Sequence, residues 1–166
     1  KVTTEGLPEF LIKNIPPKTS KNISIENPAI YYGEKTNDYV IANTNSSEFD
    51  YPMGSKNKYT KYKGTGGVQL NNFFLKSIYA LRYGNIKFLL AADINNESRI
   101  LYYRNIKQRV RKIAPFLSYD ADPYLVLSKG NLYWIQDAYT TTNKYPYSKP
   151  FNNQANYIRD SVKIVI

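Results

Sequence analysis

The chain has 166 residues, 42% of them apolar, and carries 23 Lys and Arg against 13 Asp and Glu, a formal net charge of +10. This length and composition suit a single folded domain over residues 1–166 and exclude disorder of the whole chain. The absence of Cys and His excludes zinc fingers, thiol nucleophiles and Ser-His-Asp triads. A metal site would therefore need oxygen ligands and would take calcium, magnesium or manganese.

The excess of positive charge has two interpretations. A basic surface favours an anionic partner such as nucleic acid, anionic lipid or an anionic wall polymer. Codon bias is the alternative, because Lys, Asn, Ile, Tyr and Phe have AT-rich codons and the chain contains 17 Tyr. Nucleic acid is the weakest of the three partners, since only charge and tyrosine content favour it.

The first part of the chain predicts extended structure. Prolines within residues 1–30 predict an arm that lies on the body of the domain; they are Pro8, Pro16, Pro17 and Pro28. Ile30–Tyr32 and Tyr39–Ala42 predict a hairpin around residues 35–38. Residues 49–67 are rich in Tyr, Lys and Gly and predict a loop.

A first helix is predicted after this loop. Asn71 or Asn72 can cap its start, and Gly84 can end it. Its apolar positions fall on one face of the helix; they are Phe74, Ile78 and Leu81. The short apolar run over residues 86–94 that follows favours a strand.

A second helix is predicted from residues 96–98 to just before Pro115. Its apolar stripe comprises Tyr102, Tyr103, Ile106, Val110 and Ile113. Arg104, Lys107 and Arg111 lie within about 60° of one another beside this stripe and are the candidate anion-binding residues. The alternative is an ordinary solvated helix face whose late cations complement the helix dipole.

The last third of the chain predicts strands. Leu125–Leu127 and Leu132–Ile135 flank residues 128–131, which is a strong hairpin signal. Residues 161–166 alternate as a further strand. The prediction is therefore an α+β fold with a mixed or antiparallel sheet, hairpins, two main helices and an extended N-terminal arm.

Three carboxylates form the candidate metal site. Asp120 and Asp122 lie two residues apart in a predicted loop, and the hairpin can return Asp137 toward them. Carboxylates in this arrangement suit calcium, the one possible cofactor. The alternatives are turn formation or a pairing with an arginine of the second helix, because clustered carboxylates need a counter-charge.

Residues 63–67 contain three glycines and suggest a phosphate-binding loop. They lack the Gly-Lys-Ser/Thr ending of a P-loop, and their glycine spacing does not fit the dinucleotide motif. Simple backbone turns are therefore the favoured interpretation.

Many short motifs in one order carry a family resemblance from about Gly6 to Ile166. They include Asn27-Pro28-Ala29-Ile30, Glu48-Phe49-Asp50-Tyr51-Pro52, Gly64-Thr65-Gly66-Gly67, Tyr119-Asp120-Ala121-Asp122-Pro123, Trp134-Ile135-Gln136-Asp137-Ala138 and Asn156-Tyr157-Ile158-Arg159-Asp160. Together they resemble the bacterial uncharacterised protein family number 0182, whose members are large integral membrane proteins with a long soluble region. One residue departs from the family pattern, since Asp160 stands where Asn is expected.

The resemblance implies a location and leaves the chemistry open. It implies an excised soluble part of a cell-membrane protein, on the extracellular side, with membrane-spanning segments upstream and further chain beyond Ile166. It supplies no activity, cofactor or catalytic residue. We expect a non-enzymatic module that binds an envelope component, a partner or its own membrane-spanning region. The alternative is an envelope enzyme that acts on glycan or phosphate polymer with carboxylates and a divalent cation.

Overall fold

The computed structural model describes residues 2, 4–6, 12–19, 23–151 and 154–165. Its elements in chain order are β1 (Ile12–Lys13), β2 (Lys18–Thr19), β3 (Val40–Ala42), β4 (Glu48–Met53), β5 (Lys56–Thr60), β6 (Val68–Gln69), α1 (Phe73–Tyr83), α2 (Lys87–Leu90), β7 (Arg99–Leu101), α3 (Ile106–Ile113), β8 (Ser118–Tyr119), β9 (Tyr124–Ser128), β10 (Asn131–Thr142) and β11 (Tyr157–Val165). All strand pairs among them are antiparallel. The predicted α+β class is confirmed.

The chain divides into two compact units. Unit 1 contains Lys1–Glu34 and Ile106–Ile166, and unit 2 contains Lys35–Asn105. Unit 2 is thus one continuous stretch, whereas unit 1 combines the N-terminal segment with the C-terminal third. Among the helices that the structure describes, none is long and apolar enough to cross a membrane.

Unit 2 is built on a three-stranded sheet in the order β3-β7-β6. Val40 lies opposite Leu101, and Val68 lies opposite Ile100. The side chains that fill the core beside this sheet are Leu70, Tyr79, Phe88, Ile94 and Ile100. Two of them come from α1 and α2, so burial of apolar and aromatic area fixes both helices on the sheet.

Helix α1 has the predicted ends. The side-chain oxygen of Asn72 accepts a hydrogen bond from the backbone N–H of Leu75 at 2.8 Å, which caps the helix start. Gly84 ends the helix with φ at 59°, a left-handed conformation that glycine adopts without steric cost. The cap and stop residues in the sequence were therefore sufficient to place this helix.

Three predictions in unit 2 are wrong. Residues 48–60 form a hairpin of β4 and β5, with Gly54 in a left-handed turn conformation, instead of a loop. Residues 87–90 form the helical turn α2 instead of a strand, because the Asn85 side chain accepts the Lys87 N–H at 3.0 Å and starts it. Strand β3 pairs with β7 and not with residues 30–32, since Ile41 and Ile100 meet beside the core.

The predicted start of the second helix is also wrong. Residues 99–101 are strand β7, and Tyr103 has a positive φ of 48°, which no α-helix accommodates. The helix α3 therefore begins at Ile106 and belongs to unit 1. Its end before Pro115 is confirmed, and Ile106 and Val110 are buried as predicted.

The sheet of unit 1 is organised around the long strand β10. Its first half pairs with β9 and its second half lies between β8 and β11. The β9–β10 turn has Lys129 at φ 49° and Gly130 at φ 80°, the two left-handed positions of a type I′ hairpin. The predicted hairpin and the final strand are confirmed.

The predicted N-terminal arm holds more structure than its prolines indicated. Strands β1 and β2 pair with each other, so part of the arm folds back on itself. Further along, the Glu26 N–H donates a hydrogen bond to the Gly130 carbonyl at 2.9 Å, which attaches the arm to the β9–β10 turn. Pro8 lies outside the described residues.

Candidate functional site

The three predicted anion-binding residues do not lie on one helix face. Arg104 precedes α3 and belongs to unit 2, whereas Lys107 and Arg111 are part of α3 in unit 1. A guanidinium nitrogen of Arg104 donates to the Asp38 carbonyl at 3.3 Å. Lys107 Nζ lies 3.3 Å from Glu34 Oε1, and Arg111 is exposed. Anion binding by these residues stays a prediction.

A fourth cation of α3 is used for packing. The guanidinium carbon of Arg109 lies 4.6 Å from the centroid of the Tyr32 ring, which is a cation–π geometry. Together with the Lys107–Glu34 pair, this contact attaches the charged side of α3 to the N-terminal segment of unit 1. Two of the cations of α3 therefore have contacts within unit 1.

The predicted carboxylate site is partly assembled. The backbone N–H of Asp120 donates to the Asp137 carbonyl at 3.1 Å, so the two chain segments are adjacent. However, the Asp137 carboxylate accepts a hydrogen bond from Lys163 Nζ at 2.7 Å, and this bond raises the pKa of Lys163. The counter-charge of Asp137 is thus Lys163 of β11. Asp120 Oδ1 accepts from the Ala121 N–H at 2.6 Å.

The described part of the chain contains no group of three or more acidic side chains close enough to hold a metal ion. Calcium binding at Asp120, Asp122 and Asp137 stays a prediction. One buried polar side chain beside this region was missed by the sequence analysis. Gln136 donates from Nε2 to the Asp120 carbonyl at 3.0 Å, and its Oε1 has no hydrogen-bond partner within the part of the chain that the structure describes.

The glycine-rich loop is held by side chains of unit 2. Arg99 donates from Nε to the Gly66 carbonyl at 2.8 Å and from Nη2 to the Thr65 carbonyl at 2.7 Å. The Gly66 N–H donates to the Tyr62 hydroxyl at 3.0 Å. A side chain at Gly67 would lie 2.5 Å from the Ile100 carbonyl oxygen. These contacts favour the interpretation as backbone turns.

The most distinctive surface of unit 2 is the solvent side of α1. Phe74, Ile78 and Leu81 are 72%, 43% and 86% exposed, and we call these three residues the outer stripe. They fall within about 60° of one another at the helical repeat of about 100° per residue. Phe73, Ile86 and Leu90 are further exposed large apolar residues in the same segment.

The opposite side of α1 packs on the core. The Tyr79 ring lies 6.3 Å from the Phe88 ring and 6.3 Å from the Tyr83 ring, measured between centroids. Burial, followed by a hydrogen bond to Tyr102, raises the pKa of Tyr79 to about 12. Helix α1 is therefore apolar on two sides, which is typical of a helix that contacts other groups on both.

The charged residues of the sequence stretch that contains α1 are of one sign. No acidic residue lies between Asp50 and Asp93. The cations of the same stretch are Lys56, Lys58, Lys61, Lys63, Lys76, Arg82 and Lys87. Lys87 is exposed at the start of α2, and Arg82 is exposed next to the outer stripe.

Arg82 is fixed in place by aromatic side chains. Its guanidinium carbon lies 5.6, 5.4 and 5.8 Å from the ring centroids of Tyr83, Tyr102 and Tyr103. It also donates a hydrogen bond to the Tyr103 hydroxyl at 3.3 Å, and this bond raises the pKa of the guanidinium. The cation beside the outer stripe is therefore preorganised, which lowers the entropy cost of using it in binding.

The sequence predicted the residues of the outer stripe as one apolar face of the helix, and the structure shows that this face is exposed. The residues of α1 that pack on the core are Tyr79 and Tyr83. The sequence signal for this arrangement is the presence of two apolar faces on one helix. The sequence therefore supplied the residues of the most distinctive surface without assigning that surface a role.

Comparison with known proteins establishes the family. The profile of the uncharacterised protein family UPF0182 matches residues 1–166. The chain therefore belongs to this family, and the predicted resemblance is confirmed.

Individual relatives are similar over nearly the whole chain. Proteins named UPF0182 protein from Pelotomaculum thermopropionicum and Desulforamulus reducens are 54% and 55% identical over 165 and 167 residues. One from Clostridium acetobutylicum is 57% identical over 165 residues. Each alignment covers 99% of this chain and 18% of the relative, so the chain spans under a fifth of the length of these relatives. No solved structure matches the chain.

Proposed function

We propose that this chain is a non-catalytic binding module, the extracytoplasmic part of a membrane-embedded protein. The outer stripe of α1 is its binding surface. The observation that carries the proposal is the exposure of Phe74, Ile78 and Leu81 on a helix whose other side is packed on the core. Contiguous exposed apolar area of several large side chains is typical of an interaction surface in a folded protein.

The relative length of the chain supports this proposal. The relatives are more than five times as long as the stretch they share with it, because that stretch is 18% of their length. Unit 2 therefore acts next to other parts of a larger protein and its surroundings. When an apolar helix face is covered by such a neighbour, its apolar area is removed from water, which is energetically favourable.

Single-cysteine labelling tests both the surface and its location, because the chain has no natural Cys. In intact cells that carry the full-length protein, we expect a membrane-impermeant maleimide to label Phe116→Cys of unit 1. Leu81→Cys should label slowly there and rapidly in the isolated 166-residue chain. The two positions are matched because Phe116 is 80% exposed and Leu81 is 86% exposed.

Each part of the proposal has its own contrary result. Labelling of Phe116→Cys only after the cells are permeabilised contradicts the extracytoplasmic location. Equal labelling rates of Leu81→Cys in the full-length protein and in the isolated chain contradict the role of the outer stripe. The loop at residues 152–153, which suits such a label by sequence, lies outside the described residues.

A further inference from the structure

We propose that the outer stripe docks on the surface of an anionic lipid bilayer. This inference rests on the proposed function and names the partner of the same surface. It would place Phe74, Ile78 and Leu81 at the boundary between headgroups and acyl chains. Lys87 would then contact lipid phosphates, while Arg82 would stay on its tyrosine rings and add positive charge beside the stripe.

The first argument is the shape of the apolar surface. The outer stripe runs along one side of an 11-residue helix, and Phe73 in the first turn is a further exposed aromatic residue. Helices that lie in the membrane interface present such a side of Phe and Leu residues to the lipid. The packing of Tyr79 and Phe88 on the opposite side holds α1 in a fixed orientation, so the stripe is available without a conformational change.

The second argument is charge complementarity. The absence of acidic residues between Asp50 and Asp93 means that no side chain of this stretch is repelled by anionic headgroups. Arg82 lies about 40° from Ile78 around the helix axis at the helical repeat. Its guanidinium is held on tyrosine rings, so the exposed Lys87 is the side chain that can extend its charge to the headgroup level while its stem covers apolar area. A bilayer of anionic lipid satisfies both the apolar stripe and this cationic border.

The third argument concerns the other occupants. A second copy of the chain would bring the same cations against each other, which opposes association. A protein segment would need acidic residues around its own apolar side to match Arg82 and Lys87. An anionic bilayer offers both an apolar interior and negatively charged headgroups, and it therefore fits the surface best.

Vesicle sedimentation of the 166-residue chain tests the inference. The probe is a vesicle of equal parts phosphatidylcholine and phosphatidylglycerol, compared with a vesicle of phosphatidylcholine alone. We expect binding to the anionic vesicle and a partition coefficient that is roughly tenfold lower or more for Phe74→Ser with Leu81→Ser. The matched control is Ile113→Ser with Phe116→Ser in unit 1, at residues that are 64% and 80% exposed, and it should bind as the parent does.

The charge part is tested separately. Lys87→Gln should weaken binding to the anionic vesicle roughly fivefold, because one lysine near such a surface contributes that much. It should leave the weaker binding to phosphatidylcholine unchanged. Lys149→Gln is the control, since Lys149 is an exposed cation of unit 1. Equal effects of the two lysine variants contradict the docking geometry.

A second readout applies if the double serine variant fails to fold. A polarity-sensitive fluorophore on Leu81→Cys should shift to shorter wavelength when anionic vesicles are added, and the same fluorophore on Phe116→Cys should not. Absence of binding to the anionic vesicle overturns the inference, and so does a dimer that the serine variant abolishes. If Leu81→Cys is nevertheless protected from maleimide labelling in the full-length protein, the proposed function stands and the occupant of the outer stripe is a protein segment.

Discussion

Helix α1 leaves a stripe of apolar side chains exposed, whereas helix α3 uses two of its cations in contacts within unit 1. The sequence of α3 and the residue just before it carry the predicted anion-binding cations, yet Lys107 pairs with Glu34 and Arg109 stacks on Tyr32. The sequence of α1 predicts an apolar face of Phe74, Ile78 and Leu81, and this face is exposed. Whether a helix surface is exposed therefore depends on which neighbouring segments pack against it, and residue type alone does not determine this.

The strongest test of this comparison replaces one phenylalanine on each side of the α1–α2 pair. Phe88 is 1% exposed, and Phe88→Ala should lower the free energy of unfolding of unit 2 by about 3–5 kcal/mol, because it opens a cavity in the core. Phe74→Ala should lower it by no more than about 0.5 kcal/mol, as is usual for exposed positions. The measurement is urea unfolding with hydrogen exchange of the β3 and β7 amides.

Similar losses for the two variants would mean that the outer stripe is packed like the core. In that case the stripe would not be an available binding surface. Trp134, the only tryptophan, lies in β10 of unit 1, and its indole N–H donates to the Tyr32 carbonyl at 2.8 Å. Its fluorescence therefore reports on unit 1 while the exchange rates report on unit 2.

The buried side of α1 also predicts a dependence on alkaline pH. Burial raises the pKa of Tyr79 from its ordinary value of 10.0 to about 12, so the folded state keeps the phenol proton where the unfolded chain has lost it. Stability from this group is fully present below about pH 10 and is lost as the pH rises toward about 12. The loss amounts to about 2 kcal/mol across that window.

The measurement is the urea midpoint at about pH 9 and about pH 11.5. The parent chain should lose more stability between these two conditions than Tyr79→Phe does. Tyr147→Phe is the control, because Tyr147 is fully exposed and should leave the pH dependence unchanged. If Tyr79→Phe and the parent lose the same amount of stability between the two pH values, the raised pKa of Tyr79 is contradicted.

Local signals in the sequence were sufficient to predict the structure where one residue determines the backbone conformation. Asn72 and Gly84 mark the two ends of α1, and the turn at Lys129 and Gly130 joins β9 to β10. Helix caps and left-handed turns depend on the identity of one or two residues, so the local sequence is enough to predict them. The register of β10 with β9 follows from that turn. The class of fold was predictable for the same reason.

Pairings between distant residues were not predictable. Strand β3 pairs with β7, which lies more than fifty residues further along the chain, and not with the nearby residues 30–32. The extended helix prediction fails at Tyr103, whose positive φ of 48° is not compatible with an α-helix. For the candidate site, the sequence supplied the residues of the outer stripe, but only the packing of Tyr79 and Phe88 shows which side is exposed.

The smallest expected effect concerns the charged side of α3. Lys107 and Glu34 are 40% and 35% exposed in their side chains, so water screens their attraction. Lys107→Glu should lower the free energy of unfolding of unit 1 by no more than about 1 kcal/mol, and adding Glu34→Lys should restore most of the loss. Arg111→Glu, at an exposed position of the same helix, should not respond to Glu34→Lys. The measurement is the unfolding of unit 1 by Trp134 fluorescence at low and at high salt, and the recovery should vanish at high salt because an exposed pair is screened. If Glu34→Lys fails to rescue Lys107→Glu at low salt, the pair does not attach α3, and Lys107 would again be available to bind an anion.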